Sequence, residues 1–175
     1  LFLPSFALTC NILAALFQQK SAPEMRAVLD QYKDKGTGKG YHAQNTIIDF
    51  SSQSVIHYPA PADFGQTNIV NGSHPRVVRN FAKATLEDSL LKRALSDVAH
   101  TRYVRQVSGL PDPTILVDIG KYFSKPARIW FPWNGQNSGK YTDTRAAWLG
   151  CNGNNFYLDA DNFLNNYNAA RGVRE

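Results

Sequence analysis

Apolar residues in this chain recur at two different periods, and the order in which the periods follow one another never repeats. Met25, Val28, Leu29 and Tyr32 stand at i, i+3, i+4 and i+7, which gathers side chains on one face of a helix. Thr46-Ile-Ile-Asp-Phe50 and Ser54-Val-Ile-His-Tyr58 are instead β-branched and aromatic runs, joined by Ser51-Ser-Gln53, and read as a hairpin. A chain with both periods and no repeating strand–helix unit is expected to segregate its helices from an antiparallel sheet.

The remaining segments fill in that plan. Leu13, Leu16 and Phe17 predict a first helix over Thr9 to Gln19, with Thr9 as its N-cap. Ser21-Ala-Pro-Glu24 has the form of a capping box, and the helix it opens should stop near Gly36 after Lys33 and Lys35. A polar loop through Asn71-Gly-Ser73, a glycosylation sequon in a secretory route, leads to Pro75, where a second helical region is expected. Thr85-Leu-Glu-Asp88 resembles another capping box, and Leu86, Leu90, Leu91, Ala94, Leu95 and Val98 predict a long central helix through Val104. Thr114-Ile-Leu-Val-Asp-Ile119 reads as an inner strand and Ala127-Arg-Ile-Trp-Phe131 as another. In the tail a turn at Asn152-Gly153, a short strand and a helix capped by Asp161 are expected. The expected fold class is therefore α+β, with N-terminal helices, an antiparallel sheet and a long central helix. At 175 residues one domain over 8–175 suffices.

Composition excludes several classes. With 43% hydrophobic and 19% charged residues the chain is too apolar for a disordered tail and too mixed for a coiled coil or collagen. There is no run of about eighteen apolar residues, so no membrane span is expected. A formal charge of +5 favours anionic partners.

Leu1-Phe-Leu-Pro-Ser-Phe-Ala7 is apolar and closes on small residues at the positions a signal peptidase reads, so 1–7 is expected to be a signal-peptide remnant and the protein to be secreted or periplasmic. Cys10 and Cys151 are the only cysteines; in an oxidising compartment they would form one bridge, and in a reducing one two buried thiols. They lack zinc-site spacing, and no metal is expected. Without a Gly-x-Ser-x-Gly elbow, a His-Glu-x-x-His helix or a dinucleotide fingerprint, no cofactor is expected either.

Four histidines are the candidate proton carriers. His42 follows Gly36-Thr-Gly-Lys-Gly-Tyr41, where glycine amides and Lys39 could surround a phosphate, although the spacing is not that of a P-loop. His57 lies in the second hairpin strand, and His74 precedes Pro75-Arg76, where a helix start and an arginine would form an anion site. His100 falls on the expected solvent face of the long helix. Metal-independent phosphodiester hydrolysis needs an acid, a base and a cation. In that reading His42 and His57 are the catalytic pair, Lys39, His74 and Arg76 bind phosphate, and Tyr41 stacks on a base. Pro75-Arg-Val-Val78 and Gly153-Asn-Asn-Phe156 resemble fragments of the guanyl-specific microbial ribonucleases. A helix from Leu86 to Val104 would stand where that fold continues its sheet, and no matching glutamate strand is present, so the resemblance assigns no fold.

A second cluster supports another class. Trp130, Trp133, Tyr141, Asp143 and Trp148 could stack on sugars and bond their hydroxyls, as a non-catalytic surface protein would do with a glycan or a protein partner. Trp130 and Trp148 could equally be core. The expectation carried forward is a basic domain engaging an anionic polymer, most concretely RNA, with glycan or protein binding as the alternative.

Overall fold

The computed structural model describes residues 2–33, 40–49, 54–57, 60–61, 76–79, 88–130 and 144–162. In chain order these form β1 (Phe2–Leu3), α1 (Phe6–Gln18), α2 (Pro23–Leu29) with a 3-10 turn at Asp30–Tyr32, β2 (Gly40–Asp49), β3 (Ser54–His57), β4 (Ala60–Pro61) and β5 (Arg76–Arg79). They continue with β6 (Asp88–Leu90), α3 (Leu91–Ala94), α4 (Val98–Ser108), α5 (Thr114–Tyr122), β7 (Ala127–Trp130), β8 (Thr144–Asn152) and β9 (Asn155–Asn162). The fold is α+β with helices at its N-terminal end. One sheet has seven strands in the order β5-β3-β2-β8-β9-β7-β6, and β1 pairs with β4 in a second, two-stranded sheet. Among the described residues every pairing is antiparallel except that of β7 with β9, which is parallel.

The hairpin forms as its sequence predicts, with Thr46 opposite His57 and Asp49 opposite Ser54. Its first strand begins six residues earlier than the β-rich run, at Gly40, because β8 supplies a second partner. Gly40 lies opposite Cys151 and His42 opposite Leu149, and a register shift follows between Ala43 and Ile47.

α1 is the helix that joins the layers, packing on α2, α4 and α5 and on strands β2 and β8. It starts at Phe6 because Ser5, not Thr9, is its N-cap, accepting the Leu8 amide at 3.2 Å. Thr9 is buried inside it. Phe6, Cys10, Leu13 and Ala14 then point into the core at i, i+4, i+7 and i+8. Residues 2–7, read as a signal-peptide remnant, are thus part of this fold: Phe2–Leu3 pair with Ala60–Pro61, and Phe6 is buried. α2 begins at Pro23 with Ala22 as N-cap, so the Ser21/Glu24 box does not form; proline at the first position supplies the fixed φ a helix start needs.

The long central helix does not exist. Its segment contains a strand, a single helical turn and a separate helix, broken at Leu95-Ser96-Asp97. Ser96 Oγ donates to the Arg93 carbonyl at 2.7 Å, and the Asp97 carboxylate accepts the His100 amide at 2.8 Å as N-cap of α4. Such side-chain bonds compete with continuation of a helix. The leucine stripe splits accordingly, with Leu91 and Ala94 buried but Leu90 and Val98 exposed. α4 ends on Gly109, whose φ of +67° is left-handed and whose missing Cβ would stand 2.9 Å from that of Ala7.

The expected inner strand at Thr114–Ile119 is helix α5. A short apolar run does not distinguish the two. Leu116, Ile119, Gly120 and Phe123 bury one helical face, and the Thr114 amide and hydroxyl both bond the Asp112 carboxylate, holding that carboxyl below its usual range. At Gly120 a Cβ would lie 2.8 Å from the Lys125 carbonyl oxygen and 2.9 Å from the Ala127 nitrogen, so only glycine lets α5 come this close to the start of β7. Arg76–Arg79, expected to open a helix, is strand β5, and Asp161, expected to cap one, lies in β9. One hydrophobic cluster runs through all of this, from Phe6 and Leu13 of α1 to Ile48, Val55, Tyr103, Ile119, Leu149 and Phe156. Each such side chain contributes about 1.5–3 kcal/mol when fully buried.

Candidate functional site

Across the sheet the strand order places Thr46 of β2, His57 of β3 and Arg76 of β5 in one row, Thr46 opposite His57 and His57 opposite Arg76. The middle of that row is closed to solvent. Thr46 has no exposure and His57 is 3% exposed. His57 Nε2 lies 3.4 Å from the Gln106 carbonyl oxygen and Nδ1 2.9 Å from Thr46 Oγ1, which also accepts the Phe6 amide at 2.8 Å. A carbonyl can only accept, so Nε2 donates to it, and Nδ1 faces a hydroxyl that can either donate or accept. Both ring nitrogens therefore have a partner, and together with Thr46 the ring links the start of α1 to the end of α4.

This corrects the expectation that His57 is half of a catalytic pair. A proton carrier must reach its substrate, and this ring is enclosed. His42 is separated from Thr46, the strand partner of His57, by four residues along β2, roughly 13 Å of extended chain. Tyr41 is also in β2, opposite Gly150, so Gly40-Tyr41-His42 is strand rather than loop. Arg76 is in β5 and not at a helix start, which removes the argument that made an anion site of His74 and Arg76. Lys39 and His74 lie outside the described residues. His100, expected on a solvated face, is buried, with Nδ1 at 3.4 Å from Asp97 Oδ1.

The glycan cluster loses one member. Trp148 lies in β8 at the centre of the sheet and is 4% exposed, so its ring is core and cannot stack on a sugar. Trp130 ends β7 opposite Asp88, and Trp133, Tyr141 and Asp143 lie outside the described residues. Cys10 and Cys151 are both fully buried and are not joined by a disulfide. Cys10 projects from α1 and Cys151 from β8 into the same apolar cluster, where burial pushes the Cys10 thiol far above its ordinary range. Without the bridge, the cysteines no longer argue for an oxidising compartment. Among the described residues no group of three or more histidine, cysteine or acidic side chains could hold a metal, and no helix is long and apolar enough to cross a membrane.

What the structure adds is a pocket. An open concavity of about 640 Å³ lies where α3 turns into α4, lined by Leu95, Asp97, Val98, Arg102, Arg105 and Gln106 together with Ser96 and Thr101. Val98, Thr101, Arg102 and Arg105 stand at i, i+3, i+4 and i+7, so the face of α4 that complements its buried Tyr103, Val104 and Val107 runs along the opening. Arg102 and Arg105 are exposed, and neither forms an ion pair among the described residues. Asp112 senses Arg105 only at longer range. Lys92 and Arg93 add two more exposed cations on α3. The inner wall residue Gln106 is the one whose carbonyl faces His57, so the pocket is anchored to the buried network. Reading this segment as one continuous helix hid these arginines, because the pocket exists only where the helix breaks. The signal present in the sequence was Ser96-Asp97, a helix-stop and N-cap pair in mid-pattern.

Comparison of the chain with protein-family models, with curated proteins and with solved structures finds no match.

Proposed function

We propose that this chain is a basic domain that engages an anionic polymer, with single-stranded nucleic acid as its most concrete partner, through the arginine face of α4. The observation that carries this reading is the pair of exposed, unbridged guanidiniums of Arg102 and Arg105 one turn apart on the wall of a concave pocket. Arginine forks match phosphate oxygens, and two of them about one helical turn apart can hold successive anionic groups. The excess of positive charge over the whole chain acts in the same direction.

Metal-independent hydrolysis of RNA is the narrower proposal. In it His42 is the first proton carrier, Lys39 holds the phosphate and Tyr41 stacks on a base, while His57 is assigned to the core and Arg76 stands two strands away from His42, so the second proton carrier is left to be found. Its test is incubation of RNA with the folded protein in EDTA: cleavage lost in His42→Ala supports it, and RNA left intact by the wild-type chain removes the activity while leaving binding in place. We propose export on Ser5-Phe6-Ala7 only; cleavage after Ala7 would remove the Ser5 cap of α1 and the core side chain of Phe6, so the fold described here is that of the uncleaved chain.

A further inference from the structure

The pocket holds a contradiction that a purely anionic ligand does not resolve. Beside the two arginines stands a carboxylate, Asp97, about half exposed and on the same wall. Its Oδ1 is committed to α4, accepting the His100 amide at 2.8 Å with His100 Nδ1 3.4 Å away. No ion pair joins Asp97 to Arg102 or Arg105 among the described residues, as expected when five residues of helix, about 7.5 Å of rise, separate the nearer pair. Positive charge thus lies along the helix and negative charge at its N-cap. Between them, Val98 is 86% exposed, the most exposed large hydrophobic side chain among the described residues, and Leu95 lies beside it. A ligand that satisfies all three features carries an anion for the arginines, an apolar face for Val98 and Leu95, and a hydrogen-bond donor for the carboxylate.

Resting on the function proposed above, we infer that this pocket is a ribonucleotide-binding subsite. The phosphate lies on Arg102 and Arg105, the ribose and base cover Val98 and Leu95, and the 2′-hydroxyl donates to Asp97. The volume falls within the range of pockets that take small molecules. The 2′-hydroxyl is the donor that DNA lacks, so Asp97 makes the site selective for RNA. A chain of phosphates alone would meet the same carboxylate as a repulsion.

The two roles of Asp97 have opposite signs, and one substitution separates them. Asp97→Asn keeps an N-cap of nearly equal strength and removes the charge. Binding of a labelled single-stranded RNA, the DNA of the same sequence, and inorganic polyphosphate is measured by anisotropy or competition for the full chain and for this variant. The wild-type chain is expected to bind RNA about tenfold more tightly than DNA, the worth of one charge-assisted hydrogen bond. In Asp97→Asn that preference is expected to collapse towards equality while polyphosphate binds more tightly. Val98→Glu, which leaves the cap untouched, is expected to weaken RNA and polyphosphate alike. Tighter binding of both RNA and polyphosphate by Asp97→Asn, or unchanged or weaker binding of both, overturns the subsite. So does equal wild-type affinity for RNA and DNA, although the broader reading then stands. If the wild-type chain binds none of the three probes, the broader reading fails as well.

Discussion

His57 Nδ1 and Thr46 Oγ1 stand 2.9 Å apart across the β2–β3 ladder, in a part of the core almost without access to water. The pair does more than join two strands. Thr46 also receives the Phe6 amide at the first residue of α1, and His57 reaches the Gln106 carbonyl in α4. Four elements therefore meet at two polar side chains, one of them directly behind the pocket wall.

Thr46→Val keeps the side-chain volume and removes the hydroxyl, leaving the Phe6 amide and His57 Nδ1 buried without their partner. Each unsatisfied group costs about 1–3 kcal/mol, so denaturant unfolding is expected to show a loss of about 2–6 kcal/mol. Thr46→Ser, which restores the hydroxyl, is expected to recover most of it. A valine variant as stable as the wild type contradicts the network.

Gly109→Ala tests the junction of α1 with α4. An alanine there must adopt a left-handed φ and place its Cβ 2.9 Å from that of Ala7. The backbone term alone is about 1–2 kcal/mol, and the contact adds to it. A lowered unfolding midpoint with an unchanged circular dichroism spectrum is the expected result.

Alkaline pH should destabilise the fold before it alters the surface. Burial raises the Cys10 thiol, and burial followed by the hydrogen bond to Asp30 raises the Tyr122 phenol. A group whose folded-state pKa is raised holds its proton longer when folded. Its stabilisation is complete below the ordinary pKa and is lost as pH rises above it, first through the thiol range and then through that of tyrosine. Unfolding free energy measured from neutral to strongly alkaline pH should fall, and Tyr122→Phe should shallow the upper part of that slope.

The thiols give an independent check. With Cys10 and Cys151 buried and not bonded to each other, a reducing agent is expected to leave the melting temperature unchanged. An aromatic disulfide reagent should react at neutral pH only as the protein unfolds. Loss of stability on reduction would instead restore the bridge.

The elements legible in the sequence are those whose signals are local. The β2–β3 pair comes from β-branched runs separated by turn residues, β7 from the Ile-Trp-Phe run closed by Pro132, and α1 from its apolar spacing. What escaped depends on tertiary partners. α5 is helical because Leu116, Ile119 and Gly120 find a surface to bury, although Ile-Leu-Val suits a strand equally well. β8 is the centre of the sheet, yet its residues alternate too weakly to announce it. His57 could not be sorted between site and core from its own strand, since its ring partners come from β2 and from the remote helix α4. The arginine pocket was missed for the related reason that an unbroken leucine stripe outweighed the Ser96-Asp97 cap in its middle.

The central claim is that Arg102 and Arg105 hold the phosphates of an anionic polymer, and its most direct measurement is the salt dependence of single-stranded RNA binding by the wild-type chain and by Arg102→Gln/Arg105→Gln. Each phosphate contact on a single strand contributes about 0.7 to the slope of log affinity against log salt, so the double variant is expected to bind more weakly with a slope shallower by about 1.4. Equal affinity and an equal slope in the two proteins would contradict the claim.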